Sequence, residues 1–273
     1  MSGRVVVVTS GKGGVGKTTA SANIGLALAA SGPSVALVDM DIGLRNLDIL
    51  MGLENRVVYN LIDVVEEKCK LRQALVKDKR LPNLCLLPAA QTRDKTAINA
   101  DQMKVLTTEL KSMFDYVVID SPAGIESGFQ NAIAGAEEAI VICTPEMSAV
   151  RDADRVIGLL EARKEEISQY RLIINRIRPA MVKSNDMMSV DDVLEILSVK
   201  LLGVVPEDDD VIVSTNKGEP LSGSSDNQKA GQAYRNIAKR LHGDEVPFLD
   251  LDSLNPTWFS KVVKFFNPAA MRV

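Results

Sequence analysis

The sequence predicts an α/β fold, a mostly parallel doubly wound sheet flanked by helices. Two observations carry that reading. Short runs that are apolar throughout recur along the 273 residues, and strands without alternation are strands buried on both faces. Between those runs lie longer stretches of helical periodicity, so the chain reads as successive βαβ units.

The elements follow in order. Val5 to Val8 form the first strand, and a helix begins at Lys17 that Gly32-Pro33 closes. Glycine accepts the left-handed cap and proline cannot continue the turn. Val35 to Val38, Leu84 to Leu87, Tyr116 to Ile119, Ala139 to Ile142, Leu172 to Ile174 and Leu201 to Val205 are the further strands. Helices are expected over Asp101 to Met113, Ser148 to Arg163, Ser189 to Leu197 and Asn227 to Leu241, the last stopped by Gly243. The stretch "DDDVIVSTNKGEP" fits either a strand or a short helix. One globular domain over 1–243, a linker over 244–255 and a tail of different character over 256–273 complete the plan.

Composition narrows the function. Hydrophobic residues make up 46% and charged ones 25% of the chain, the balance of a globular protein with an ample core. No apolar run has membrane-spanning length and no leader precedes the first strand, so a cytoplasmic chain is expected, or one whose targeting segment has been removed. Cys69, Cys85 and Cys143 fit no metal-ligand spacing and read as reduced, packed thiols. A net charge of -4 argues against general nucleic-acid binding, which needs clustered Lys and Arg. No specific nucleic-acid partner is expected.

Chemistry concentrates in "SGKGGVGKTTA". Gly11, Gly16, Lys17 and Thr18 fill the pattern G-x-x-x-x-G-K-[ST] between a Val-rich strand and a helix, the context of a phosphate loop. Backbone N–H groups from Gly11, Lys12, Gly13, Gly14, Val15 and Gly16 then surround phosphate, with Thr19 following on the helix. Lys17 reaches the β- and γ-phosphates and the Thr18 hydroxyl ligates Mg²⁺ at the positive helix N-terminus. ATP and Mg²⁺ are the implied ligands. Lys12 is one lysine more than the loop requires, and its side chain should project out of the cradle. It reads either as a solvated surface lysine or as a group serving something beyond its own nucleotide.

Asp39 and Asp41 stand at the carboxyl end of the second strand, where open α/β sheets bind ligands. Asp41 is the candidate for orienting a water in phosphoryl transfer and Asp39 for a place near the metal; a strand-end turn whose carboxylates cap the next segment is the other reading. "FDYVVIDSPAGIES" repeats the arrangement as a Walker B pattern, with Asp120 reaching Mg²⁺ directly or through water. A buried unpaired carboxylate is otherwise costly.

"KGGVGKTT" resembles the deviant Walker A box of the ParA/MinD ATPases, and "GLRNLD", "SPAGIE", "VRDADRV" and "STNKGEP" are similar to the branch of that family that places the division septum. The resemblance spans residue 4 to about 243. It implies ATP hydrolysis, a homodimer when ATP is bound, Lys12 crossing to the nucleotide of the second subunit, and Asn46 at the seam. It implies also that Asn175, ending "RLIIN", offers its amide to adenine, although Asn also forms turns, and that Pro206 and Glu207 lie against the base. A MinC-like inhibitor of FtsZ assembly and a MinE-like activator of hydrolysis are the implied partners. A ParA-type DNA-partitioning ATPase is the alternative function.

The tail separates the two. In "NPTWFSKVVKFFNP", Trp258, Phe259, Val262, Val263, Phe265 and Phe266 gather on one side of a helix, with Lys261 and Lys264 on the other. After Asp252 there are three bases and no acid, which suits an anionic membrane surface. A helix docked on its own core is the competing use. The expected location is therefore cytoplasmic and peripheral on the inner face of the cell membrane, or the stroma of a plastid.

Overall fold

The computed structural model describes residues 3–91, 97–224 and 228–250. Eight strands form one sheet in the order β3-β4-β2-β5-β1-β6-β7-β8. They are β1 (Arg4–Thr9), β2 (Val35–Asp39), β3 (Val76–Lys77), β4 (Leu84–Leu87), β5 (Tyr116–Asp120), β6 (Glu138–Cys143), β7 (Gln169–Ile177) and β8 (Leu201–Pro206). All neighbours are parallel except β3 and β4. The two-residue β3 escapes sequence reading because a run that short has no period to detect.

Continuous apolar strands are explained by what covers them. Val5 and Val7 of β1 face one core with Leu106, Val150 and Val193, while Val6 and Val8 face a second with Ile24, Leu28 and Tyr234. The first layer holds α5 (Ala100–Met113), α7 (Met147–Glu161) and α9 (Val190–Leu197); the second holds α1 (Lys17–Ala30) and α11 (Lys229–His242). Helix starts obey local chemistry. Asn99 with Gln102 and Ser189 with Asp192 form capping boxes for α5 and α9.

Shorter helices fill the connections: α2 (Leu47–Leu50), α3 (Leu61–Val65), α4 (Leu71–Ala74), α6 (Ser127–Ile133) and α8 (Pro179–Lys183). The ambiguous stretch after β8 is a helix, α10 (Asp210–Lys217), ended by Gly218 at φ 65°. Its acidic start and left-handed glycine stop decide against a strand. Cys85 and Cys143 are buried, Cys69 is half-buried, and all three are free thiols. Burial pushes the Cys143 thiol up to about 12.

The segment after α11 is held on the sheet edge. Arg240 Nη1 donates to the Leu202 carbonyl at 2.9 Å, Nε to Val246 O at 2.9 Å and Nη2 to Pro247 O at 2.7 Å. Its guanidinium lies 4.1 Å from the Phe248 ring centroid. This strap is thereby tied through Arg240 to β8, the edge strand of the sheet. It also carries the chain from the α11 layer to the opposite one, where Phe248 packs. The tail expected over 256–273, with Trp258, Phe259, Lys261, Val262, Val263, Lys264, Phe265 and Phe266, lies outside the described residues. Among the described residues no helix is long and apolar enough to cross a membrane.

Candidate nucleotide-binding site

Strand order reverses around β1, and the loops after β1, β2 and β5 meet at the carboxyl edge of the sheet. The register places Val8 beside Asp120 and Asp39 beside Asp120. Two expected site residues, Asp39 and Asp120, thus share one corner with the end of β1, from three distant parts of the chain.

The loop leads into α1 through Gly16, at φ 97° and with no side-chain cap. No acid occupies the first turn of α1, so its backbone donors and positive end have no local anion. Two glycines are required by neighbours as well as by phosphate. A Cβ on Gly11 would stand 2.2 Å from the Asp152 carbonyl of α7, and one on Gly16 would stand 2.4 Å from Asn175 Nδ2. The cradle is therefore braced on one side by a helix and on the other by a strand end.

Lys17 is buried, and its ammonium donates to Ser10 Oγ at 2.9 Å. Burial lowers its pKa, against the pull of Asp120 and Asp41. Ser10 in turn donates to the Lys12 carbonyl at 2.7 Å, so one hydroxyl links both lysines of the loop. Asp120 is fully buried and accepts from Ser21 Oγ at 3.0 Å and from the Thr18 hydroxyl. Its Oδ2 has no hydrogen-bond partner, which is costly unless something positive comes to it. Burial, opposed by those hydrogen bonds and by Lys17, sets its pKa at about 6.

Asp39 is also fully buried, and it accepts from the backbone N–H of Asp41 at 2.9 Å and of Leu47 at 3.3 Å. Burial first, and the Asp120 charge second, push its pKa up to about 8. Its hydrogen bonds are those of a carboxylate organising the loop into α2, while its carboxyl stays next to Asp120. Asp41 is partly exposed beside Lys17. Asn46 is exposed at the start of α2, one residue after Arg45 at φ 47°.

Lys12 leaves the cradle. Its Nζ lies 3.4 Å from Glu146 and 3.2 Å from Ser148 Oγ, at the start of α7. Asn175 is buried and donates to the Val15 carbonyl at 2.7 Å; its amide nitrogen faces the loop. Pro206 ends β8 beside Ile177, and Glu207 is paired with Arg176 at 3.9 Å and Arg178 at 3.8 Å. Gly13 and Gly14 are exposed at the loop tip, Val15 is buried beneath it, and Thr19 O accepts from Asn23.

Sequence reasoning missed Ser10 and Ser21. Ser21 lies four residues after Lys17 and so on its helix face, a signal that could have found it. Ser10 has no such signal. Nucleotide and cation fit what is present: left-handed glycines at Gly14 and Gly16, uncapped donors, a buried ammonium and an unpartnered carboxylate oxygen. Among the described residues no group of three His, Cys, Asp or Glu side chains is arranged to hold a metal ion. Mg²⁺ with few carboxylates is held jointly with phosphates.

Residues 6–221 match the model of the CobQ/CobB/MinD/ParA nucleotide binding domain. The chain is 59% identical over 259 residues to the septum site-determining protein MinD of Synechocystis, covering 95% of this chain and 97% of the other. Among solved structures it is similar to the MinC:MinD cell division protein complex of Aquifex aeolicus, with 46% identity, TM-score 0.82 and coverage of 89% and 97%. It is similar also to MinD of Pyrococcus horikoshii complexed with Mg-ADP, with 29% identity, TM-score 0.79 and coverage of 88% and 96%. On sequence, on architecture and on the loop that joins β1 to α1, the chain belongs to the MinD branch of the CobQ/CobB/MinD/ParA nucleotide-binding family.

Proposed function

We propose that the protein is an ATP-dependent dimerising membrane switch that places the division site of a cell or plastid. The observation that carries this reading is the split between the loop's two lysines. Lys17 is buried inside the cradle, whereas Lys12 projects away from it onto Glu146 and Ser148. A lysine so placed is available to a second subunit, where it would supply the charge that an arginine finger gives other NTPases.

The residues divide the work. The loop backbone and Lys17 hold the β- and γ-phosphates, and Thr18 with Asp120 holds Mg²⁺. The cation, when bound, neutralises charge that develops on the phosphates. Asp41 orients water, Asp39 fixes the loop that carries Asp41, and Asn175, Pro206 and Glu207 form the side of the site toward the base. Two protomers closing face to face, with Lys12 bridging and Asn46 at the seam, bring two tails to one lipid surface. A single short amphipathic helix binds membrane marginally, and pairing raises avidity by roughly 10² to 10⁴. Hydrolysis separates the protomers and releases both tails. Support for the division role is the similarity to septum site-determining proteins, and support for a MinC-like partner is the related MinC:MinD complex. A MinE-like activator completes the cycle.

Vesicle sedimentation tests the reading. With a non-hydrolysable ATP mimic the protein is expected to dimerise and pellet with anionic vesicles, and Lys12→Ala to lose both dimerisation and stimulated hydrolysis. Retention of DNA in place of vesicles would favour partitioning. A monomer that coats vesicles when saturated with the mimic would overturn the switch.

A further inference from the structure

We infer that in the lipid-free protomer residues 256–273 dock in cis on a methionine-lined cavity beside the nucleotide site. This goes beyond the membrane reading but rests on the same expectation that those residues form an apolar-faced helix. The cavity is an open groove of about 560 Å³ at the carboxyl ends of β6, β7 and β8. Met147, Met181, Met187 and Met188 line it, four of the chain's ten methionines. Methionine is the side chain that adapts to aromatic and aliphatic partners, and Met147 is 52% exposed.

Charge selects the occupant. Glu146, Asp186, Asp192 and Glu207 stand against Arg176 and Arg178 in the lining. Even with Lys12 set against Glu146, the rim keeps a negative excess. The tail offers Lys261, Lys264 and Arg272 with no acid after Asp252, and an aromatic stripe on its other side. The larger groove, of about 940 Å³ between α4 and α5, sets Glu67, Asp101 and Glu109 against Lys68, Lys70 and Arg72, so it offers a basic helix no net attraction.

Reach permits it. Arg240 fixes the strap at Leu202 and Phe248. From Leu202 to Glu207, at the cavity rim, β8 and its next residue rise about 16 Å. From Asp250 to Trp258 the chain can span at most roughly 26–29 Å. The strap has already crossed to the layer of α7 and α9, from which the cavity opens. Docking would cover the aromatic stripe until lipid or a second protomer competes for it.

Trp258 is the only tryptophan, so the full chain reports on itself. Without lipid or nucleotide, Trp258 emission is expected to lie to the blue of the urea-unfolded chain, with acrylamide quenching several-fold weaker and unchanged by dilution. Met181→Lys with Met188→Lys, and separately Lys261→Glu with Lys264→Glu, are expected to shift emission to the red and restore quenching, with circular dichroism unchanged. Solvent-like emission from the parent chain would overturn the inference. Protection that ignores the cavity variants, or that disappears on dilution, would overturn it too, by placing the tail elsewhere or on a second copy. Vesicles of phosphatidylcholine and phosphatidylglycerol, added with an ATP mimic, test the membrane reading separately: lipid-dependent protection of Trp258 upholds that reading whatever the lipid-free result.

Discussion

Two single residues show how burial sets chemistry. Asp39 and Asp120 are neighbours across β2 and β5 with almost no access to water, and their carboxyl pKa values rise to about 8 and about 6. An exposed carboxyl loses its proton near 4. Between pH 4 and 8 the unfolded chain is therefore ionised where the folded chain still binds protons, and the pair's contribution to stability falls as pH rises through that window. Asp39→Asn keeps the shape without the titration. Without nucleotide and Mg²⁺, the variant is expected to lose less stability between pH 5 and pH 8 than the parent, read as urea midpoints; parallel profiles would refute the sign. Gly11 is a steric requirement. A Cβ there meets the backbone of α7 at 2.2 Å, and overpacking of a rigid site costs about 1–3 kcal/mol or more. Gly11→Ala should unfold at lower urea and bind a fluorescent ATP analogue more weakly, whereas an unaltered midpoint would show that the loop moves off α7 at no cost.

At the scale of elements, caps and straps carry the argument. Asn99 Oδ1 accepts from the Gln102 N–H, and Gln102 Oε1 accepts from the Asn99 N–H. Asn99→Ala is expected to cost about 0.5–2 kcal/mol, leaving nucleotide hydrolysis unchanged because α5 covers the sheet face and not the site. Arg240 holds three carbonyls and stacks on Phe248. Its partial burial lowers its pKa to about 10. Arg240→Ala should speed proteolytic cleavage within the strap with little effect on the amide exchange of β1, and equal cleavage in both proteins would mean that the strap holds without it. The connections 40–83 were poorly legible in the sequence. α2, with four residues, and α3, with five, are too short for a helical period to register.

For the whole molecule, the reading turns on two protomers and their tails. Deleting 256–273 should leave dimerisation with the ATP mimic intact and abolish vesicle binding, measured by analytical ultracentrifugation and sedimentation with lipid. Loss of dimerisation on deletion would mean that the tail belongs to the protomer interface. Net charge is compatible with the proposal, since a chain at -4 overall would need a local basic stretch to bind anionic lipid.

The sequence by itself determined every strand but the two-residue β3, the longer helices and the loop that meets phosphate, because period, caps and the spacing of Gly11, Gly16, Lys17 and Thr18 are all local. Tertiary structure decided what those residues touch. Ser21 meets Asp120 across 99 positions, Lys12 meets Glu146 across 134 and Asn175 meets Val15 across 160. Partners so far apart are set by strand order and register, and by how α7 and the strap pack on the sheet. A pattern within one turn or one strand holds no record of any of these, which is why Asp39 and Asp41 could be placed at a strand end but the carboxyl facing Asp39 could not.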